Sequence, residues 1–347
     1  MDAEIDRPAP AIEGRRRATE LAPVPGWVPI VRVAAAAAAA SMPPGSFLCR
    51  VWWGRLAWYD VRGPRPFVEL LWALEELSAT LCEVCGAPAV QRETWERGIH
   101  TLCPRHAVDI AVALASAGMR PFLSTFATFA TFRAAESVKL GLGYLAAPVV
   151  LVCPYGGVSG AWFGPTHHCL EDLAMVQSLP GVRIAVPAGE AETRAVIRIA
   201  AAGDRPCYVR LASNDVFDVP LTPAGRGEVS WLNPIAGDTC LVSIGEKPTE
   251  LCVAATRERS DVGHAHLCWV DGESLAEAVH QLVAARRLVV VEEHRAAGSV
   301  AATLALMLPS HEVRSVNAGT GWPSEGGSHD EVLAALGLTV SAVLQAV

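Results

Sequence analysis

Hydrophobic residues along the chain follow two textures, and the change between them falls near Ala107. From there on, apolar runs alternate with stretches whose apolar residues recur at helical spacing. AVDIAVALASAG reads as a helix closed by Gly118, RPFLSTF as a strand, and RAAESVKLGLGYLA as a helix. PVVLVC is a continuous apolar strand of the kind buried on both faces. EDLAMVQSL, VRIAVPA, EAETRAVIRIAAAG and PCYVRLA follow as helix, strand, helix and strand. This alternation predicts βαβ units and a parallel sheet. The stretch 213–237 is rich in turn residues and reads as a linker. Beyond it, TCLVSIG, AHLCWV and LVVVEEH read as strands, ESLAEAVHQLVAA and GSVAATLALML as helices, and HDEVLAALGL as a last short helix.

Before Ala107 the pattern is less regular. Residues 1–25 are polar and Pro-rich, and are expected to be mobile. The alanine run Ala34–Ala40 predicts a short helix stopped by Pro43 and Pro44. In PFVELLWALEELS, Phe67, Leu70, Leu71, Leu74 and Leu77 fall at helical spacing.

Composition narrows the function classes. The chain has 347 residues, of which 51% are hydrophobic and 18% charged, so a large core is expected and wholesale disorder is not. The net charge is −8, and the one basic block is Arg15–Arg17. A nucleic-acid or membrane-surface role needs a basic footprint, so neither partner is expected. No run of 18 apolar residues exists, and the N-terminus lacks the order of a signal peptide. The expected location is the cytoplasm, where cysteines serve as thiols or metal ligands.

Four residues have metal-ligand spacing. Cys82, Cys85, Cys103 and His106 form C-x2-C-x17-C-x2-H. Two such pairs can close a tetrahedral zinc site, and four protein ligands make it structural rather than catalytic. The alternative is a set of buried free thiols. The stretch Gly26–His106, through GWVPIV, RLAWYD and LSATLCEVCGAPAVQRETWERGIHTLCPRH, resembles a small bacterial zinc-ribbon-like family. That resemblance implies a fold and no activity.

The rest carries a second resemblance. RPFLSTFATFATFRAAESVK, GGVSG, GPTHHCLEDLA, LPGVRIAVPAGEAE and CYVRL resemble the pyrimidine-binding domain of transketolase. VVVEEHRAAGSVAATLA and GGSHDEVLAALGL resemble its C-terminal domain. The pattern is similar to the second subunit of a split transketolase, with deoxyxylulose-phosphate synthases further off. The expected fold is therefore two α/β domains with parallel or mixed sheets, behind a zinc-ribbon-like module. The expected divisions are tail 1–25, module 26–106, pyrimidine-binding-like domain 107–215, linker 216–236 and C-terminal-like domain 237–347.

The resemblance implies thiamine diphosphate and the transfer of a two-carbon ketol unit between sugar-type substrates. No GDG…N motif occurs, so Mg²⁺ and the diphosphate would be held by a first-subunit partner or by a second copy of the chain. Phe129 matches the aromatic residue that stacks on the pyrimidine, and Phe126 and Phe132 would line that pocket. His167 matches the histidine of GPTH, placed to shuttle a proton. His168 has no counterpart and is expected to be peripheral. Glu171 and Asp172 read as a helix cap and dipole partners. Arg210 matches an arginine that clamps a sugar phosphate.

The pattern also breaks. The family's activating glutamate falls on Pro104, and the acid expected before GPTH is Phe163. A histidine expected near Gly156 and Gly157 falls on Tyr155 or Cys153, and the domain's first strand and helix are not recognisable. The chain therefore reads either as a transketolase-like subunit, with catalysis degenerate, or as a non-catalytic protein that docks on such a partner.

Overall fold

The computed structural model describes residues 25–41, 48–52, 55–59, 65–93, 99–212, 221–323 and 326–347. The tail 1–24, Pro43 and Pro44, and linker positions 216–220 lie outside them. The chain forms two compact units, Met1–Ala107 and Val108–Val347.

In the first unit, a tight turn at Pro25–Trp27 leads into α1 (Val28–Ser41). Pro29 falls in the first turn, where its missing N–H breaks no helical bond. A hairpin of β1 (Leu48–Trp52) and β2 (Arg55–Tyr59) follows, then α2 (Arg65–Ser78). Trp27, Ile30 and Ala34 of the first helical stretch pack on Phe67, Leu71 and Leu74 of α2. The Trp27 indole donates to Leu81 O at 2.7 Å, so burying it leaves no unpaired N–H. A second hairpin, β3 (Val90–Glu93) with β4 (Ile99–Leu102), precedes α3 (Pro104–Ser116).

The second unit begins within α3 and continues with β5 (Phe122–Ser124). The predicted single helix over RAAESVKLGLGYLA is instead broken. A π-helix at Phe129–Arg133 leads to α4 (Ala135–Val138) and a second π-helix at Lys139–Tyr144. Thr131 Oγ1 donates back to Ala127 O at 2.8 Å, and a Cβ at Gly141 would collide with Val112. The sequence thus supplies a hydroxyl that competes for the helical carbonyls and a glycine for close approach. Next come β6 (Val150–Cys153), α5 (Asp172–Gln177), β7 (Arg183–Ala185), α6 (Glu190–Ala202) and β8 (Cys207–Arg210). The sheet runs β5-β6-β8-β7, all parallel.

A strand stands inside the predicted linker: β9 (Ser230–Asn233). It is the antiparallel edge of a second sheet made with β10 (Thr239–Ile244), β11 (Gly263–His266), β12 (Arg287–Glu292) and β13 (Glu312–Val316). The order is β13-β12-β10-β11-β9. Around it lie α7 (Glu246–Glu258), α8 (Gly272–Leu282), α9 (Val300–Met307), α10 (His329–Ala335) and α11 (Val340–Ala346). The predicted strand AHLCWV ends early at His266 because Leu267–Val270 crosses to the first sheet. Val186 N donates to Cys268 O, and Val270 N to Ile184 O. Beside this crossing, buried Glu192 of α6 meets His266 Nε2 at 2.9 Å, so a side-chain hydrogen bond and backbone bonds join the two sheets. Among the described residues, no helix is long and apolar enough to cross a membrane.

Candidate functional site

The four spaced ligands converge in the first unit. All ligand atoms of Cys82, Cys85, Cys103 and His106 lie within 4.8 Å of one another. Cys82 Sγ is 3.6 Å from His106 Nδ1, Cys103 Sγ is 3.3 Å from the same nitrogen, and Cys85 Sγ is 3.9 Å from Cys103 Sγ. A tetrahedron of sulfur and nitrogen around zinc has edges of roughly 3.5–3.8 Å. The donor set therefore fits that ion. Its local geometry is built by glycines. Gly86, at φ +73, donates its N–H to Cys82 O at 2.8 Å and closes the first turn. Gly26 donates to Glu83 O, and a Cβ on it would collide with Cys82 O. The second pair lies where α3 starts, with Pro104 as first helical residue and His106 in the same turn.

In the second unit, the loops after β5 and β6 carry an aromatic cluster. These loops follow the carboxyl ends of parallel strands, where open α/β sheets hold ligands. The rings of Phe126 and Phe129 stack with centroids 5.5 Å apart and 3° between planes. His167 stands edge-on to both, at 5.8 and 5.4 Å. Tyr155 lies 4.3 Å from Phe126, and Phe163 lies 5.0 Å from His167. Trp162 extends the group, 54% exposed. Arg133 lies over the Phe129 ring, 4.4 Å from its centroid. Phe126, Phe129 and His167 thus come together as a flat platform with a titratable edge.

Other expected site residues fall elsewhere. Phe132 is 55% exposed and has no ring contact with the cluster among the described residues, so it does not line it. His168 is buried rather than peripheral, with Nε2 3.4 Å from Ala161 O. Arg210 is buried in the interior. Its Nε donates to Asp172 Oδ2 at 2.8 Å, and Nη2 donates to Cys169 O and Glu293 O. A sugar-phosphate role would require giving up these bonds. Asp172 is not a helix cap: it also accepts from Tyr208 OH at 2.8 Å. Glu171 pairs with Arg295 at 3.1 Å. Phe163 and Tyr155, at positions where the family has an acid and a histidine, join the rings instead. Pro104 opens α3 as a buried residue. The ring contacts gather aromatic side chains, a histidine and an arginine, and include no carboxylate among the described residues. The cluster thus presents aromatic faces and an imidazole, with no carboxylate among the described residues where the resemblance leads one to expect it.

Sequence reasoning missed a buried pair beneath this face. Glu293 Oε1 lies 2.6 Å from His329 Nε2 and accepts from Val158 N at 2.9 Å. The one sequence signal is two consecutive acids at the end of an apolar strand. Burial pushes the Glu293 carboxyl up, but the His329 charge and hydrogen bond outweigh it and hold the group below its ordinary 4.5. Burial pushes His329 down, and Glu293 outweighs that, holding the imidazolium above its ordinary 6.5. The stability contributed by these shifts is fully present between pH 4.5 and 6.5. It is lost as pH falls through the depressed Glu293 value and as pH rises through the raised His329 value. His329→Gln should therefore lower the thermal midpoint most inside that window and less on either side. A deficit independent of pH would show that the pair is not charged.

Comparison with known proteins gives these loops a context. The family model "Transketolase, pyrimidine binding domain" matches residues 101–217. 1-Deoxy-D-xylulose-5-phosphate synthase 1 of Kitasatospora griseola is 32% identical over 269 residues, 74% of this chain and 40% of that protein. One subunit of the apulose-4-phosphate transketolase of Phocaeicola vulgatus is 27% identical over 61% of this chain and 70% of its own length. A solved split-gene transketolase, described as an inactive β4 tetramer, superposes with a TM-score of 0.60 at 25% identity, over 70% of this chain and 80% of that one. The chain spans about two fifths of the deoxyxylulose-phosphate synthases it matches. Residues 101–217 are thus a transketolase pyrimidine-binding domain, and the family assignment applies to that part of the chain.

Proposed function

We propose that this chain is the pyrimidine-side subunit of a thiamine-diphosphate-dependent ketol transferase acting on sugar phosphates in the cytoplasm. Its partner is a first subunit that grips Mg²⁺ and the diphosphate, or a second copy of the chain. The observation that carries this reading is the gathering of Phe126, Phe129 and His167 where open α/β sheets hold ligands. The Phocaeicola relative, itself one subunit of a transketolase, supports a separate partner, because this chain covers 70% of it. When bound, the cofactor would supply the carbanion chemistry. This chain would offer the stacking face and the His167 edge. Turnover is expected to be weak. A general acid–base group contributes roughly 10²–10⁴-fold, or about 3–5 kcal/mol of barrier, and Pro104 and Phe163 cannot supply one.

In the same proposal, Cys82, Cys85, Cys103 and His106 bind one structural zinc ion in a zinc-ribbon-like module. The experiment purifies the full chain with a candidate first subunit and measures thiamine-diphosphate binding and ketol transfer. Cofactor binding should fall at least tenfold in the double variant Phe129→Ala, His167→Ala, since stacking on one aromatic face contributes about 1–3 kcal/mol. Binding or activity unchanged in that variant refutes the site.

A second reading is favoured by Arg133 over Phe129 and by the ring at Phe163. A heterocycle stacking on Phe129 must displace that guanidinium or the Phe126 ring. The chain would then be a non-catalytic, regulatory docking subunit. Tight complex formation without cofactor-dependent activity distinguishes it.

A further inference from the structure

The loop that presents the rings cannot hold its own shape. Tyr155 has φ +61, a left-handed backbone that is strained for a residue with a side chain. Gly157, at φ +66, reverses the chain again, and a short turn at Ala161–Phe163 then sets out Trp162 and Phe163. Something outside the loop has to fix this path.

The geometry points to Glu293, held by His329, as the group that positions the aromatic face. Glu293 Oε1 receives the Val158 N–H at 2.9 Å and lies 2.6 Å from His329 Nε2. A Cβ on Gly157 would collide with this carboxylate, so the loop backbone rests directly on it. Arg210 closes the other side. Its Nη2 donates to Glu293 O at 2.9 Å, and a Cβ on Gly156 would stand 2.7 Å from its Cγ. Gly157 and Cys169 exchange both backbone hydrogen bonds, at 2.8 and 2.7 Å, which ties the loop to the segment just after His167. The rings belong to loops of the first sheet. Their seat belongs to the second, at the end of β12 and the start of α10. Neither sequence stretch hints at the other, because 36 residues separate Glu293 from His329 and 135 separate it from Val158.

The seat has a charge state. Charged and titratable groups facing it are His329, Arg210 with its partner Asp172, His168, and the Lys247–Asp330 pair beside His329. Arg210 and Lys247 keep their charge and burial disfavours the charged form of His168, while Glu292, pushed up to about 7 by burial, accepts from Val300 N and Ala301 N rather than from the loop, so His329 is the titrating group in direct contact with the seat. As pH rises through its raised value, the imidazolium loses its proton and the carboxylate loses its strongest partner. The loop then loosens and the rings separate.

This inference rests on the ring cluster being the site, but its test needs no cofactor, so the two can fail separately. The full chain, carrying His167→Gln to remove the imidazole from the cluster, is labelled with 4-fluorophenylalanine. The ¹⁹F signals of Phe126, Phe129 and Phe163, assigned by single Phe→Leu variants, are followed from about pH 5 to about pH 9. The three signals should shift together in one transition. Adding His329→Gln, which like a neutral imidazole keeps a donor but no charge, should hold them at their high-pH positions throughout. Adding His329→Ala should place them at their high-pH positions at every pH. Signals that do not move, or a transition that persists with His329→Gln, overturn the proposal, as does His329→Ala behaving like its parent. If His329→Ala does not fold, the parent and His329→Gln decide.

Discussion

Cys103→Ser should abolish zinc binding and unfold the Met1–Ala107 unit of the full chain. Magnitudes explain why the expected effect is so large. Among the described residues of this unit, one cluster of six buried side chains, Trp27, Ile30, Ala34, Phe67, Leu71 and Leu74, packs the first helical stretch on α2. Each contributes about 1.5–3 kcal/mol on burial, while ordering the chain costs roughly 1.5 kcal/mol per residue. This cluster offsets only part of that cost for the segments it joins. Zinc binding contributes about 10–16 kcal/mol in small four-ligand modules, and that free energy is folding free energy. Two intact ligand pairs are needed, because three ligands leave the tetrahedron open. The measurement is metal content with thermal unfolding and limited proteolysis. The wild-type chain should carry about one zinc, and the variant none, with early cleavage between residues 25 and 107. A metal-free wild type that unfolds like Cys103→Ser would remove the zinc assignment. Chelation should reproduce the variant, reversibly.

How much of this was readable in advance depends on how local each feature is. The ligand spacing was legible because knuckle pairs are sequence-local, and Gly86 marked the turn. The strands β6, β10 and β12 were legible because burial on both faces makes them unbroken apolar runs. The edge strands β9 and β13 were not, since each has one flank without a neighbour and tolerates Asn233, Arg314 and Ser315. The π-helices were hidden because their apolar spacing resembles an ordinary helix. Phe126, Phe129 and His167 were singled out through resemblance, which keeps motif order even when identity is low, and their rings lie together. Phe132 was over-read, because a three-residue repeat says nothing about which ring turns outward. Two consecutive acids hinted at Glu293, but its contacts with His329 and Val158 could not be read, because they join segments far apart in the chain.

Removing the Asp172 carboxylate should cost the Val108–Val347 unit about 3–5 kcal/mol, the usual range for breaking one side of a buried ion pair. Asp172 is fully buried and Arg210 is 5% exposed. Asp172 Oδ2 accepts from both Arg210 Nε and Tyr208 OH. Burial alone would strip charge from Arg210, but Asp172 outweighs it and holds the guanidinium charged. Asp172→Ala leaves that charge with carbonyl partners only, at Cys169 and Glu293, and leaves Tyr208 OH without its acceptor. In a unit of this size, each kcal/mol lowers the thermal midpoint by about 2–4 °C, so the loss should be roughly 6–20 °C. The double variant Asp172→Leu, Arg210→Met removes both charges and should recover a large part of it. A double-mutant cycle therefore separates the pair from the packing around it. The cycle also bears on the sugar-phosphate role of Arg210. An arginine that must leave Asp172 to meet a phosphate would show a pair energy near zero, because the structure could release it cheaply. A coupling of several kcal/mol would make it a fixed strut between β8, α5 and the loop after β12. Phosphate recognition would then have to come from a different residue, or from the partner.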